Sequence, residues 1–218
     1  MHKIPLLLLA WILILYPASS SADGEHQRRF TVELALVAGD SRLLAEQNDA
    51  SSNKISKQKQ QWIQSRLISS VNQLPLLARY FQQEKGTSTP SLLKQLQALK
   101  QQLNNPTALR QQSLSLSKQY PVIFSLSLPQ PLTAKTRKTV ISRYNRLCLG
   151  CHFGPAGEKS VVIGDLASFA RSMDNSEWLA RLIGGLHGDA YTGLENPFSD
   201  QDIAQLFGYI RSNKIKMK

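Results

Sequence analysis

The chain has 218 residues, 42% of them hydrophobic and 19% charged, with 26 Lys and Arg against 15 Asp and Glu, and a formal net charge of +11 with His neutral. One apolar run, at the very start, approaches membrane-spanning length and no other does, while the positive excess calls for an anionic partner or surface. Only two cysteines occur, Cys148 and Cys151.

Met1-His2-Lys3 is a short basic start, Ile4 to Tyr16 is apolar apart from Pro5, and "PASSSA" then supplies small residues at a processing site. Residues 1–22 therefore read as a secretory signal peptide cleaved after Ala22, in preference to an uncleaved anchor, because the run is shorter than the roughly 20 residues a spanning helix needs. The expected location is periplasmic or otherwise exported, where nucleic acid is the poorest fit for a basic protein. An acidic protein or the surface of a membrane suits it better.

The charge is unevenly spread. Asp23 to Val140 holds 16 Lys and Arg against 7 Asp and Glu, and Ile141 to Lys218 holds 9 against 8. This asymmetry predicts two modules, a basic Gln- and Leu-rich one over 23–132 and a second over 133–218.

"SADGEHQRR" reads as a polar, frayed start, and "FTVELALVAG" alternates in a way that fits a short strand or a helix. After a loop, Ile63, Leu67, Val71, Leu74, Ala78 and Phe81 recur at steps of three and four, one face of a helix, with a kink or break expected at Pro75. Thr89 as cap and Pro90 at the first position open a helix striped by Leu92, Leu96, Leu99 and Leu103, and Asn105-Pro106 ends it and starts another. In that next piece Leu109 and Leu116 share a side. Amphipathic helices of this kind bury their faces against one another, so a helical bundle is predicted over about 50–120. It contains no acid–base cluster and no nucleophile constellation. "PVIFSLSLPQP", with Pro121, Pro129 and Pro131, reads as an extended connector, and Thr133 opens the helix of "TAKTRKTVISRYNRLCLGCH".

"CLGCH" at 148–152 carries the chemistry. A disulfide between Cys148 and Cys151 closes so small a loop that it restrains the unfolded chain little. A thioredoxin-like dithiol needs flanking strands, and a structural zinc needs four well-placed ligands; neither is offered here. Cys148-x-x-Cys151-His152 is the spacing of covalent haem attachment, in which the two thiols become thioethers and His152 ligates the iron from the proximal side.

Residues from about 138 to 213 resemble a monohaem domain of the class I cytochrome c family. "SRYNRLCLGCHFGPAG" resembles its first helix and attachment motif, "SEWLARLIGGLHG" the helix before the distal-ligand loop, and "FSDQDIAQLFGYIRS" its final helix, for which Ser199 is a natural cap. The resemblance implies a small all-α cytochrome c-like domain with one covalent haem c, so that with the N-terminal helical bundle the expected fold is mostly α. It also implies that the last helix crosses the first, so that Tyr144 and Leu147 meet Phe207 or Tyr209. The sequence departs from the family between Gly185 and Ser199, where no Met is present to serve as distal ligand. His187 is the first candidate for that position and Met173 the second, ahead of Met217 and His26. The family's Pro-Leu pair after the motif is also missing, which moves the acceptor for the proximal imidazole to carbonyls near Ile163 to Asp165. The expected function is electron transfer with an acidic redox protein as partner, and not enzymatic turnover. A haem-based gas or redox sensor with a weakly held or vacant distal position is the alternative.

Overall fold

The computed structural model describes residues 24–47, 56–148, 166–184 and 198–212, and these are helical apart from turns and connectors, with no strand among them. Among the described residues no helix is long and apolar enough to cross a membrane.

The stretch that alternation left open between strand and helix is α1 (Glu25–Glu46). Phe30, Leu34, Val37 and Leu44 face one apolar cluster, Val32, Ala35 and Leu36 a second, and Asp40 and Ser41 are buried as well. A helix enclosed on nearly every side has no polar face to contrast with its apolar one, so the 3.6-residue period disappears from its sequence. It touches α2 (Lys57–Glu84), α4 (Pro106–Gln119) and α7 (Asn175–Ile183). The polar start is no frayed tail from Glu25 onward. The N–H groups of Gly24 and Gln27 each donate to the Glu84 carboxylate at 2.8 Å, and that of His26 at 3.4 Å, so the end of α2 supplies the acceptor that the first turn of α1 lacks. Gly24 adopts φ 96° at this junction, a left-handed conformation that favours glycine.

α2 begins at Ser56, whose hydroxyl accepts from Lys59 N–H, and presents Ile63, Leu67, Val71, Leu74 and Ala78 inward as the periodicity predicts. Pro75 does not break it: the helix runs on for another two turns, held by the burial of Leu77 and Ala78 beyond the proline. α3 (Pro90–Gln101) starts with proline at its first turn, but Thr89 makes no side-chain cap; its carbonyl accepts instead from the buried amide of Gln82 at 3.0 Å. Asn105 does cap α4, accepting from Ala108 N–H. Within α4, Leu109 and Leu116 are buried with Ser113 between them, whose hydroxyl donates back to the Leu109 carbonyl at 2.7 Å and so satisfies itself. Phe30, Phe81 and Tyr120 stack at one end of this four-helix core.

Residues 121–132 run as an irregular connector that lays Val122, Phe124, Leu128 and Leu132 against a second large apolar cluster. That cluster is built from α5 (Ala134–Leu147), α6 (Leu166–Ser172), α7 and α8 (Asp200–Ser212). The connector lies so close to α8 that a Cβ on Gly208 would stand 2.9 Å from Pro129 Cβ. A smaller apolar seam of Val32, Ala35, Leu36 and Ala180 joins α1 to α7.

Candidate haem site

The helix leading into the attachment motif is set by local signals that the sequence announces. Thr133 caps α5 by accepting from Thr136 N–H at 3.2 Å, and Val140 and Tyr144, one turn apart, face inward. Ser199 and Asp202 form a reciprocal box at the start of α8: Asp202 N–H donates to the serine hydroxyl, and Ser199 N–H to the aspartate carboxylate, 3.2 Å each. Asp202 also pairs with Arg143 of α5, tying the two helices together. Beside this pair the rings of Tyr144 and Tyr209 meet edge to face with centroids 5.8 Å apart. The predicted aromatic meeting of the two helices is therefore present, and Leu147 and Phe207 belong to the same cluster. Burial pushes the Tyr209 phenol above its ordinary value, against the opposing effect of Arg137.

Cys148 ends α5. Its N–H donates to the Tyr144 carbonyl at 2.8 Å, and its side chain is buried in the second core together with Leu166, Ala167, Met173, Trp178 and Phe207. Trp178 donates its indole N–H to the Phe207 carbonyl at 3.3 Å. Arg211 closes the far side of this core, donating to the carbonyls of Ala170 and Met173 and to the Asn175 side chain while its guanidinium lies over the Phe207 ring. A thiol in apolar and aromatic surroundings is compatible with the edge of a hydrophobic macrocycle and equally with an ordinary buried cysteine. Met173 shares the cluster of Cys148. His26 does not: it is exposed at the start of α1 and stacks on Tyr80 of α2, centroids 5.1 Å apart. Cys151, His152, His187, Met217 and the span Ile163 to Asp165 lie outside the described residues. Among the described residues no group of three or more His, Cys, Asp or Glu is placed to hold a metal ion.

One constellation was not foreseen. Asp40 of α1, buried to 1% exposure, accepts from Arg66 of α2 at 2.6 Å through Nε, and from Arg181 of α7 at 3.1 Å. Arg181 also donates to Glu177 at 2.8 Å, and Glu177 accepts a forked pair of bonds from Arg42, 3.1 Å each. Arg42 reaches on to Glu46. Burial alone would lower the pKa of Arg181, but Asp40 and Glu177 outweigh it and hold the guanidinium above its ordinary value. The one sequence signal was a lone aspartate inside "LALVAGDSRLLA", since a charge embedded in an apolar run needs a partner. Nothing in the sequence said that the partner stands 141 residues away.

Comparisons with protein-family models, with curated proteins and with solved structures found no match to this chain.

Proposed function

We propose that the chain is an exported monohaem c-type cytochrome that carries single electrons to and from a protein partner. The observation that carries this reading is the Cys148-x-x-Cys151-His152 motif beginning at the C-terminal end of a helix. There the first thiol is buried among apolar side chains, and Tyr144, one turn earlier, packs on Tyr209 of the last helix. Cys148 and Cys151 would hold the haem as thioethers and His152 would ligate its iron, with His187 as first and Met173 as second candidate for the opposite side. The group supplies one-electron ferric/ferrous chemistry when bound. The protein's own part is to bury the attachment point and brace α5 against α8 through the Arg143–Asp202 pair and the tyrosine contact. Replacing the family's thioether by an imidazole lowers the reduction potential.

The partner in this reading is an acidic redox protein. α5 contains no Asp or Glu, and Lys135, Lys138 and Arg146 lie exposed along one side of it, ending beside Cys148. Association with such a partner weakens as salt is raised. Residues 1–22 act as the export signal.

Production of the secreted protein in a host that attaches haem covalently tests the proposal. A coloured product heavier by one haem, lost in Cys148→Ser/Cys151→Ser, is the expected result; a colourless chain of unmodified mass would overturn it. Magnetic circular dichroism of the loaded protein should show two imidazole ligands, one of them lost in His187→Ala and not in Met173→Ala. Rapid carbon monoxide binding by the reduced protein would favour the sensor instead.

A further inference from the structure

Residues 56–148 contain 14 Lys and Arg and a single carboxylate, Glu84. That carboxylate is committed to the first turn of α1. The other carboxylates that pair with cations of this region, Asp40 with Arg66 and Asp202 with Arg143, belong to α1 and α8. Among the described residues, no ion pair is formed by the exposed cations Lys57 and Arg79 of α2.

Among the described residues, α2 also carries four of the five large apolar side chains that stand exposed: Trp62, Ile68, Leu76 and Tyr80. Trp62, Leu76 and Tyr80 lie on the side of the helix opposite Ile63, Leu67 and Leu74, and Ile68 lies on its flank. Trp62 and Tyr80 are 18 residues apart, five turns, so they share one line about 27 Å long, with Leu76 beside it. Between them stand the neutral Ser65, Ser69 and Gln73, while the exposed Lys57 and Arg79 share the flank of Ile68, roughly 140° and 100° round the helix from the line of the rings. Both rings are braced from below, Trp62 by the Arg66 guanidinium 4.3 Å from its centroid and Tyr80 by His26. Braced rings lose little freedom on being buried.

We propose that the outward face of α2 seats the molecule on an anionic lipid leaflet, with Trp62, Leu76 and Tyr80 entering the headgroup region and Lys57 and Arg79 meeting lipid phosphates. A row of rings and an aliphatic, with cations on its flank and no carboxylate between them, matches a helix lying in the plane of a charged interface, where aromatic side chains concentrate and each cation adds electrostatic attraction. This inference stands apart from the haem, since none of the residues of that face is among those packed around Cys148.

Co-sedimentation of the mature, haem-loaded protein with phosphatidylglycerol-rich vesicles, against pure phosphatidylcholine vesicles, tests it. Binding is expected to the first and not to the second at about 0.1 M salt. Lys57→Glu/Arg79→Glu should lower the partition coefficient at least about tenfold. Trp62→Ser/Leu76→Ser, exposed positions whose exchange leaves the core alone, should lower it by a similar factor. Lys135→Glu/Lys138→Glu on α5 should leave it near the wild-type value. Absence of binding to anionic vesicles would overturn the proposal. So would equal losses from the α2 and α5 reversals, or indifference to Trp62→Ser/Leu76→Ser, since either would reduce the contact to general attraction of a basic protein. An acidic protein that binds through this face while vesicles do not would overturn it in favour of a protein partner. Cys148→Ser/Cys151→Ser should bind vesicles as the wild type does, which separates failure here from failure of the haem assignment.

Discussion

Glu84 illustrates how much one side chain decides. Desolvation raises its pKa, yet the N–H groups of Gln27, Gly24 and His26 outweigh that and hold it below the ordinary 4.5. A carboxylate depressed on folding contributes stability that is present above its unfolded pKa and is lost as pH falls through the folded one. Glu84→Ala should thus lower stability at neutral pH by about 1 kcal/mol, as loss of a helix cap does, and the difference from wild type should vanish on acidification below 4.5. Urea unfolding followed at neutral and acid pH reads both effects. Asp40 belongs to the same scale with larger stakes. Asp40→Asn leaves the partly buried guanidinium groups of Arg66 and Arg181 short of a buried counter-charge, and stability should fall by about 3 kcal/mol, measured as a shift of the urea midpoint. Neither residue's role was readable beforehand, because each acts across the fold: Glu84 on a helix 57 to 60 residues away, Asp40 on Arg181 at 141.

Among elements, the contest at Gly39 can be weighed in advance. Alanine there would gain about 1 kcal/mol of helix propensity. Its Cβ would also stand 2.5 Å from Glu177 Oε1 and 2.8 Å from Glu177 Cγ. Glu177 is held by Arg42 and Arg181, so moving it aside would break those bonds. Overpacking should win, and Gly39→Ala should destabilise by about 1–3 kcal/mol in thermal unfolding, a sign opposite to that of an unencumbered helix glycine. The same level shows what periodicity reveals. α2, α3 and α4 each have one wet face, so their stripes Ile63 to Ala78, Leu92 to Leu99 and Leu109 to Leu116 announce them. Asn105, Thr133 and Ser199 mark starts for the same local reason. α1 was unreadable because it is wet on almost no side, and the break that Pro75 allowed for is absent because packing beyond it carries α2 onward. Thr89 misled too, its carbonyl and not its hydroxyl being engaged.

For the whole molecule, two cores meet across a narrow seam. The ion network of Asp40, Arg66, Arg181, Glu177 and Arg42 lies there, and a second tie, Arg28 to Asp200 at 2.6 Å, spans α1 and α8. The wild type should unfold in a single transition seen alike by far-ultraviolet circular dichroism and by near-ultraviolet signals of the second core's aromatics. Asp40→Asn should separate the two, the cores melting independently once the buried tie is cut. Two noncoincident transitions in the wild type would refute the coupling. Of the candidate site, the helix ending at Cys148 and α8 were each legible, since short-range caps and an apolar stripe specify them, while their meeting was expected from the family resemblance alone. Its burial against residues from α6 and α7 was not, because which helices close over a thiol depends on chain reversals that no local pattern encodes.

The bare Cα at position 39 beneath the carboxylate of Glu177 also binds the two positions into a shared history. Drift toward a bulkier residue at 39 is open only to lineages that have already shortened 177, and a shorter 177 relinquishes its grip on Arg42 and Arg181. In diverged descendants of this sequence, size at one position and length at the other should change together or not at all.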